Sequence, residues 1–402
     1  MITMYNNSSA SQPPGDRRYE RSLAEPPLPQ VSVASVRARV FRAAASDGVA
    51  MSFAPLTHRT MIVVEVELTD GSIGRGETWA NFPAWAWKER HATVHEGVAP
   101  LLVGQTFASP GEAYRHLLDR LAPLGRQWGA PGPMAQAISG ADAALWEIAL
   151  AYQGVPLRAW VARANGLDDV RELPVYGSSL GPTNIAETAQ LCLSLGISRV
   201  KIKLGFGADK DRRNVLEAKE TLGDGVELYG DANQAWTLRE ASDQVPSMVD
   251  MGLSWIEEPL RGDRLDELSI LHSRTGALLA TGENLYGTDA FRPYLESGAI
   301  SILQPDLSKV GGVTPFLEIA RLCAERNVTV NPHLYNGAVA TQLTAQLALS
   351  TPNAELLEWD IRDNPLRRPV DSLLTANGTI TPESLEAQTI DLDELADFEE
   401  TL

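Results

Sequence analysis

The fold is decided by residues 200–358, where short apolar or β-prone runs end on polar residues at a regular spacing. The runs are VKIK (200–203), ELYGD (227–231), LSWIEE (253–258), LLATGE (278–283), ISILQPD (300–306), VTVNPH (328–333) and ELLE (355–358). The polar residues at their ends are Lys203, Asp231, Glu257, Glu283, Asp306, His333 and Glu358, and neighbours in this series lie 23 to 28 residues apart. One strand plus one helix needs about 25 residues, so the spacing predicts an α/β barrel whose strand ends meet at one mouth.

Alternation of strands and helices would also permit a doubly wound open sheet. The repeat begins near Pro174, with VYGSS as its first strand and ISRVKIK as its second, and it comprises eight units. Eight units with evenly placed polar ends favour closure into a barrel. After Glu358 the pattern predicts loops and short elements.

Composition excludes several classes of function. A length of 402 residues suits a barrel plus a smaller unit, and 44% hydrophobic residues suffice for a large core. A net charge of −18 argues against nucleic-acid binding, but does not forbid an anionic substrate if a metal and a few lysines reverse the charge locally. No apolar run is long enough to span a membrane, and no signal-peptide layout opens the chain. The two cysteines, Cys192 and Cys323, lie in helix-like apolar runs and predict core thiols of a cytoplasmic protein.

The first third of the chain predicts a separate unit. Residues 1–29 are rich in Ser, Asn, Pro and charge, which predicts a disordered extension. Residues 30–155 predict an α+β domain: a strand in VSVASVRARVF, a hairpin around Asp70-Gly71, and helices over 88–102, 109–122 and 133–152. The loop 43–60 between the first two strands is a candidate lid, because long loops in compact domains are often functional.

Four large aromatic residues fall within nine positions after the hairpin: Trp79, Phe82, Trp85 and Trp87. They could form a wall of a substrate pocket, or they could pack at the interface between domains. We take Trp79 and Phe82 as candidate substrate contacts, together with Lys201 and Asn233.

Asp231, Glu257 and Glu283 close neighbouring strands of the predicted barrel. Three converging carboxylates repel one another at pH 7 unless a cation lies between them. Ligands made only of oxygen select a hard cation, so we expect these residues to bind Mg²⁺.

Lys201 and Lys203 lie two residues apart on one strand and therefore point to the same face. We expect each charge to lower the pKa of the other lysine, which would prepare Lys203 to act as a general base. Asp306 and His333 come from the next strands, and an Asp that accepts a hydrogen bond from one imidazole nitrogen raises the basicity of the other. Glu358 could donate a hydrogen bond to a developing oxyanion if it were protonated, or it could be a structural acid.

These residue types together suit proton abstraction next to a carboxylate. A metal and a lysine would hold the substrate carboxylate, and removal of the adjacent proton would create an enediolate whose charge the metal stabilises. Lys203 would act on one face of the substrate and His333 on the other.

The motif set resembles the enolase superfamily, specifically its mandelate racemase subgroup. The matching motifs are K-x-K at Lys201 and Lys203, DANQ at Asp231, WIEEP at Glu257, GEN at Glu283, QPDLSKVGG at Asp306, NPH at His333 and LEWD at Glu358. The resemblance covers roughly residues 31–375. It implies a capping domain over 30–155, a modified (β/α)7β barrel over 165–375, a C-terminal segment 376–402 that returns to the capping domain, one Mg²⁺ per subunit, and a homo-oligomer between dimer and octamer. It also implies metal binding by Asp231, Glu257 and Glu283, with Lys203 and the His333–Asp306 dyad as acid–base groups.

One residue separates this chain from the sister subgroup, and one segment departs from the family pattern. The sister muconate-lactonizing subgroup carries a lysine where this chain has Asp306, which sets that subgroup aside. The C-terminal TPESLEAQTIDLDEL replaces the Pro-Gly-Leu-Gly-like segment common in such chains.

Several reactions use the residues that the resemblance implies. Our first choice is dehydration of a sugar acid to a 2-keto-3-deoxy acid. The segment WDIRDNPLRR after the last strand resembles those of sugar-acid and sugar-lactone enzymes more than a mandelate-type one. Racemisation or epimerisation of an α-hydroxy acid and cycloisomerisation of a sugar lactone are the alternatives. A non-catalytic metal-binding barrel and a metal hydrolase are further ones, although hydrolases usually show His-rich ligand sets. The substrate is in each case a small carboxylate, without nucleic acid or membrane as partner.

Overall fold

The computed structural model describes residues 25–45, 48, 50–167, 171–388 and 390–401. Residues 1–24, which hold most of the predicted disordered extension, lie outside the described residues. The strands are β1 (Val33–Ala44), β2 (His58–Leu68), β3 (Ile73–Thr78), β4 (Leu173–Leu180), β5 (Arg199–Lys203), β6 (Glu227–Asp231), β7 (Leu253–Glu257), β8 (Leu278–Thr281), β9 (Ile302–Leu303), β10 (Thr329–Val330), β11 (Leu357–Asp360) and β12 (Thr379–Ile380).

The helices alternate with the strands from β4 onwards. They are α1 (Ala86–Ala92), α2 (Ala99–Leu102), α3 (Pro110–Trp128), α4 (Pro131–Gln153), α5 (Leu157–Asn165), α6 (Ile185–Ser194), α7 (Ala208–Leu222), α8 (Leu238–Asp250), α9 (Leu265–Thr275), α10 (Thr288–Ser297), α11 (Leu307–Val310), α12 (Val313–Ala324), α13 (Ala338–Ser350) and α14 (Pro382–Glu386). A π-helical segment, Thr93–Val98, joins α1 to α2, and Arg368–Leu373 and Leu392–Phe398 are 3₁₀ helices.

The N-terminal unit, β1 to α5, is an antiparallel three-stranded sheet covered by helices. The strand order is β1-β2-β3, and α4 crosses the outer strand β3 at very close range. A Cβ atom built on Gly76 would lie 2.1 Å from the carbonyl oxygen of Gly140, so only glycine permits this approach of strand and helix.

The second sheet is parallel, in the order β10-β9-β8-β7-β6-β5-β4-β11, and it curls into the barrel that the spacing predicts. Between β10 and β11 the link is a side chain: Asn331 Oδ1 accepts hydrogen bonds from the backbone N–H groups of Glu355 (3.2 Å) and Leu356 (3.0 Å). The last short strand, β12, pairs antiparallel with β4. The predicted modified barrel with an N-terminal α+β domain is confirmed.

An aromatic floor fills the barrel below its mouth. Tyr229 and Trp255 stack with ring centroids 4.4 Å apart, and Tyr176 meets both edge-on at 5.7 and 5.8 Å. Because strand side chains repeat every second residue, Tyr229 lies directly below Asp231 and Trp255 below Glu257. The floor keeps water away from the carboxylates above it.

The C-terminal residues lie against the N-terminal sheet. The Glu400 N–H donates to the carbonyl of Val40, and the Arg39 guanidinium forms a two-pronged ion pair with Glu399 at 2.8 Å. The departure from the usual C-terminal sequence is therefore compatible with a tail that extends the edge of β1.

Two buried acids of the N-terminal unit cap the start of barrel helices. Glu77 on β3 accepts from the backbone N–H groups of Gly337 (2.7 Å) and Ala340 (2.8 Å) at α13. Asp142 on α4 accepts from the N–H (2.9 Å) and the hydroxyl (2.6 Å) of Thr314 at α12. Carboxylates at helix N-termini are favourable contacts, and here they fasten one unit to the other.

Most local expectations agree with the structure. The Asp70-Gly71 turn joins β2 to β3, and both cysteines are buried free thiols in the barrel core. No helix among the described residues is long and apolar enough to cross a membrane. The predicted loop 43–60 is too long, because Ala43 and Ala44 pair with Arg59 and His58, leaving residues 45–57 as the loop.

Asp142 provides a test of this domain junction. Burial raises the pKa of Asp142 from 3.8 to about 7, which means that the folded protein prefers the neutral acid. The stability from this group is fully present below pH 3.8 and is lost as the pH rises towards 7. We expect Asp142→Asn to be more stable than the wild type at pH 8, with the difference nearly constant down to about pH 7 and then shrinking by about 1.4 kcal/mol per pH unit towards pH 5.

Urea unfolding at pH 5, 6, 7 and 8 measures that difference. Asp263→Asn is the control, because Asp263 forms an exposed ion pair with Arg261. A constant difference between Asp142→Asn and wild type at all four pH values would contradict the prediction.

Candidate active site

The predicted acids all lie at the mouth of the barrel. Asp231 and Glu257 end β6 and β7 and are paired in register, while Glu283 follows β8 by two residues. Asp231 and Glu257 are fully buried, and Glu283 is 8% exposed. Parallel strands in register therefore bring these carboxylates together, as the spacing predicts.

Each of these acids contacts a basic side chain. Lys203 Nζ lies 2.5 Å from Asp231 Oδ2, and Lys201 Nζ lies 2.6 Å from Glu257 Oε2. Glu283 Oε2 contacts His333 Nε2 at 2.6 Å. The acid and base halves of the predicted machinery thus share one buried network.

The expected effect on the lysines is wrong in direction. Burial and the neighbouring ammonium do lower the pKa of Lys203, but the carboxylates of Asp231, Glu257 and Glu283 together raise it above the usual value. Burial likewise opposes charge on Lys201, yet Glu257 and Glu358 hold its pKa well above the usual range. Counting only the two like charges missed the carboxylates that the neighbouring strands supply.

His333 forms the predicted dyad. Its Nδ1 lies 2.7 Å from Asp306 Oδ2, and the other Asp306 oxygen accepts from the N–H (2.8 Å) and hydroxyl (2.6 Å) of Ser308. Burial alone would lower the pKa of His333, but Glu283 and Asp306 raise it to about 10. Asp306 is thus held in place to orient the imidazole.

Glu358 is ionised in this structure, which contradicts the idea of a protonated hydrogen-bond donor. Its Oε1 lies 2.9 Å from Lys201 Nζ, and its Oε2 accepts from the Leu334 N–H at 3.2 Å and from Tyr176 at 3.3 Å. Burial would raise the pKa of Glu358, but Lys201 and His333 lower it to about 2. The residue holds Lys201 from the side opposite Glu257.

The donor set suits a divalent cation, although it is not assembled around one. In the described part of the chain, no three His, Cys, Asp or Glu side chains form a group that could hold a metal as they stand. Asp231, Glu257 and Glu283 each turn an oxygen to a basic group instead. Glu257 Oε1, however, is buried and accepts no hydrogen bond. An unpartnered carboxylate oxygen beside two further carboxylates is a set that a hard cation satisfies.

A cavity of about 140 Å³ lies between the two units, directly over this network. Lys203, Asn233, Glu283, His333 and Glu358 line it from the barrel side. The remaining residues of the network lie below this lining and contact the residues that form it: Lys201, Asp231, Glu257 and Asp306.

The predicted aromatic wall is half right. Trp79 and Phe82 line the cavity, and the Trp79 ring meets His333 edge-on at 5.9 Å. Trp87 packs in the core of the N-terminal unit instead, and Trp85 is 68% exposed. Sequence spacing could not divide the four, because α1 begins at Ala86, directly after Trp85, and directs Trp87 into the core of the N-terminal unit.

Several residues around the cavity escaped the sequence analysis. Gln304 donates to Glu257 Oε2 at 2.8 Å, and Glu258 accepts from Gln234 and Asn284, both at 3.0 Å. Burial, followed by the charge of Glu283, raises the pKa of Glu258 to about 8. Gln304 stands in QPD and Glu258 in WIEE, next to residues that the sequence analysis selected. It selected one polar residue for each strand end and therefore passed over these neighbours.

Described residues of the loop between β1 and β2 cover the cavity, as expected of the candidate lid. Met51 and Phe53 line the cavity, and Phe53 meets Phe82 edge-on at 5.3 Å. Ser52 Oγ donates to the carbonyl oxygen of Asn233 at 2.9 Å, which ties the lid to the end of β6. Residues 46, 47 and 49 of this candidate lid lie outside the described residues.

The chain matches two family models that together cover most of its length. Residues 35–160 match the N-terminal domain of mandelate racemase/muconate lactonizing enzymes, and residues 184–384 match the enolase C-terminal domain-like family.

Individual relatives point the same way. The chain is 30% identical to an L-talarate/galactarate dehydratase from Salmonella typhimurium, over 76% of this chain and 75% of that protein. It is 28% identical to a D-galactarolactone cycloisomerase from Agrobacterium fabrum, over 80% and 86% of the two chains. A crystal structure of a mandelate racemase/muconate lactonizing enzyme from Bordetella bronchiseptica is 36% identical in sequence and superimposes with a TM-score of 0.82. The superposition covers 91% of this chain and 99% of that one.

The lid bond of Ser52 can be tested by hydrogen exchange. Loss of one neutral hydrogen bond costs about 0.5–1.5 kcal/mol, so Ser52→Ala should raise the opening equilibrium about 2- to 10-fold. Exchange of the amides of residues 50–56, followed by mass spectrometry, reports that opening. Ser72→Ala, in the distant β2–β3 turn, is the control. Equal exchange of the lid in both variants would rule out the Ser52–Asn233 latch.

Proposed function

Because the chain belongs to the mandelate racemase/muconate lactonizing enzyme family of the enolase superfamily, we propose that it removes the proton next to a carboxylate, with dehydration of a sugar acid as its reaction. The relatives are named dehydratases and cycloisomerases, and the chain is an enzyme of this lyase or isomerase type. The product of the proposed reaction is a 2-keto-3-deoxy acid.

One observation carries the proposal: Lys203 and His333 line the same closed cavity from different strands. Lys203 ends β5 and His333 follows β10, and β4 and β11 lie between those strands on the side where the barrel closes from β11 to β10. A substrate in the cavity would meet one basic group on each side. Two-sided proton transfer needs this arrangement.

The chain supports each group in its role. Asn233 Oδ1, 2.9 Å from Lys203 Nζ, can hold the amine once it leaves Asp231 to accept the α-proton. Asp306 orients His333 from Nδ1, and Nε2, which contacts Glu283 Oε2 at 2.6 Å in this structure, would be the nitrogen that faces the reacting atoms. Lys203 is charged against Asp231 in this structure, so it must first release a proton to solvent and act as the neutral amine. In a dehydration that amine takes the α-proton, the carbon–oxygen bond at the β-position breaks, and protonated His333 gives its proton to the departing hydroxyl. Water leaves, and the remaining enol becomes a 2-keto acid.

Asp231, Glu257 and Glu283 would hold Mg²⁺, one ion per subunit. The set consists of oxygens, it is buried, and Glu257 Oε1 has no other partner. Bound there, the cation would supply positive charge where the substrate carboxylate gains negative charge. Lys201, held by Glu257 and Glu358, would add a fixed charge beside it.

The cavity lining favours a polyhydroxy acid. Polar groups from Asn233, Asn284, Gln136 and Tyr286 line it and can bind several hydroxyls. The apolar wall of Met51, Phe53, Trp79 and Phe82 suits a less polar acid and keeps racemisation as the second candidate. Cycloisomerisation of a sugar lactone uses the same residues.

The wider arrangement is part of the proposal. The N-terminal unit with the returning tail would act as the capping domain, and the substrate would be a small carboxylate bound under it. We also propose a homo-oligomer in the cytoplasm, and light scattering of the purified chain would test the oligomeric state.

Loss of an α-proton signal in D₂O tests the proposed reaction. With Mg²⁺ and a pool of sugar acids, sugar lactones and α-hydroxy acids, proton NMR should show exchange or consumption of at least one member. Lys203→Ala and His333→Asn should each reduce the rate about 10²- to 10⁴-fold, the usual contribution of an acid–base group. Lys210→Ala, a half-buried lysine in α7 beyond the same strand that does not line the cavity, should leave the rate unchanged.

The product identifies the reaction. A 2-keto acid indicates dehydration, an epimer indicates racemisation or epimerisation, and a ring-opened acid indicates cycloisomerisation. Exchange that continues at the wild-type rate in Lys203→Ala would disprove the proposed mechanism, and so would the absence of any exchange in protein that binds Mg²⁺.

Titration calorimetry of Mg²⁺ tests the carboxylate set without relying on activity. Outer-shell partners of a metal contribute about 10- to 100-fold in affinity, so loss of a ligand in Glu257→Gln should weaken binding by more than about 100-fold. Glu227→Gln, at the exposed start of the strand that carries Asp231, is the control. Equal affinity in Glu257→Gln and Glu227→Gln would show that the ion binds elsewhere.

A further inference from the structure

We propose that Lys309 binds a second carboxylate of the substrate, so that the enzyme prefers acids charged at both ends. The inference rests on the proposed function, because it assigns the far end of the same substrate. Lys309 belongs to α11, three residues after Asp306, and only 3% of it is exposed. It lines the cavity together with Lys203 and His333.

Lys309 differs from the other two lysines of the site in its partners. Lys201 has carboxylate oxygens at 2.6 and 2.9 Å, and Lys203 has one at 2.5 Å. Among the described residues, the nearest carboxylate oxygen to Lys309 Nζ is that of Glu283 at 4.0 Å, beyond hydrogen-bond distance. The ammonium group also lies over the Trp79 ring, 4.0 Å from its centroid.

A buried ammonium group has three donors, and leaving them unused in a dry site is costly. The cation–π contact with Trp79 and the more distant charge of Glu283 keep Lys309 charged, but they satisfy none of the donors. Lys309 is therefore a fixed positive charge whose donors remain for a ligand in the cavity.

The surroundings of Lys309 add further free polar groups. Gln136 reaches the cavity from α4 and Tyr286 from the loop after β8. Within the described part of the chain, the side-chain amide of Gln136 and the hydroxyl of Tyr286 form no hydrogen bond with another side chain or backbone group. We call Trp79, Gln136, Tyr286 and Lys309 the distal subsite.

A carboxylate is the ligand that this subsite fits best. It accepts several hydrogen bonds and carries the charge that the unpaired ammonium lacks, whereas a hydroxyl supplies only the hydrogen bonds. Lys203, on the barrel side of the same cavity, and the proposed metal ligands would take the carboxylate next to the reacting carbon. A sugar acid with carboxylates at both ends would fill both positions.

A purely structural Lys309, which only offsets the charge of Glu283 and Asp306, is the competing explanation. It predicts that loss of the lysine affects all acids equally. Selectivity between two acids, rather than affinity for one, therefore separates the two roles.

The probes are galactarate, which has a carboxylate at each end, and D-galactonate, which has one. Ligand-observed NMR on the full chain with Mg²⁺ gives both dissociation constants, and the same spectra show any loss of an α-proton. We expect wild type to bind galactarate at least about 10-fold more tightly than galactonate. Lys309→Gln should lower the ratio of the two dissociation constants about 10- to 100-fold, the effect of one hydrogen bond to a charged group. Lys309→Arg should keep most of the wild-type preference.

Lys88→Gln is the matched control, because Lys88 also lies over a tryptophan, at 5.3 Å from the Trp87 ring, but is exposed and does not line the cavity. It should keep the wild-type preference. The proposal is overturned if wild type shows no preference, including the case in which neither acid binds, or if Lys309→Gln weakens both acids equally.

The same spectra separate this inference from the proposed function. A preference for galactarate that depends on Lys309, without α-proton loss from any acid of the pool, would uphold the subsite and refute the reaction. Loss of an α-proton from an acid with one carboxylate, without a preference for galactarate, would uphold the reaction and refute the subsite.

Discussion

The structure depends on one constraint: a group of buried carboxylates at the mouth of the barrel must be matched by positive charge. Six acids meet there, Asp231, Glu257, Glu258, Glu283, Asp306 and Glu358, and each is at most 8% exposed. Ionised carboxylates in such a site repel one another and lose their hydration, so without cations they would take up protons or force the barrel apart. Lys201, Lys203, Lys309 and His333 supply the compensating charge in this structure.

The fold makes that concentration of charge possible. Parallel strands in register place the carboxylates at one level, and the period of two puts Tyr229 and Trp255 beneath them as a dry floor. The N-terminal unit covers the mouth from above, fastened by Glu77 and Asp142 to the starts of two barrel helices. In this enclosed space each charge acts on its neighbours more strongly than it would in water. The same property that makes the acids expensive to bury makes them effective around a substrate carboxylate.

The barrel and the strand ends that carry the site could be predicted from the sequence, because strand periodicity and the length of a strand–helix unit are local properties. The ends of β5 to β7 follow directly from the runs that close at Lys203, Asp231 and Glu257. What the sequence could not provide is the balance between neighbours on different strands. The pKa values of the two lysines rise instead of falling, because carboxylates lie closer to each than the other lysine does. Lys309 remained hidden for the same reason: only the structure shows that its donors face a cavity.

The most direct test of this account is a crystal structure of the chain soaked with Mn²⁺, a stand-in for Mg²⁺ that can be located by its anomalous scattering. The account predicts one ion among Asp231, Glu257 and Glu283, with Lys203 Nζ moved away from Asp231 towards Asn233. An ion bound elsewhere, or a mouth that keeps its three lysine and histidine contacts with no ion among the carboxylates, would contradict the account.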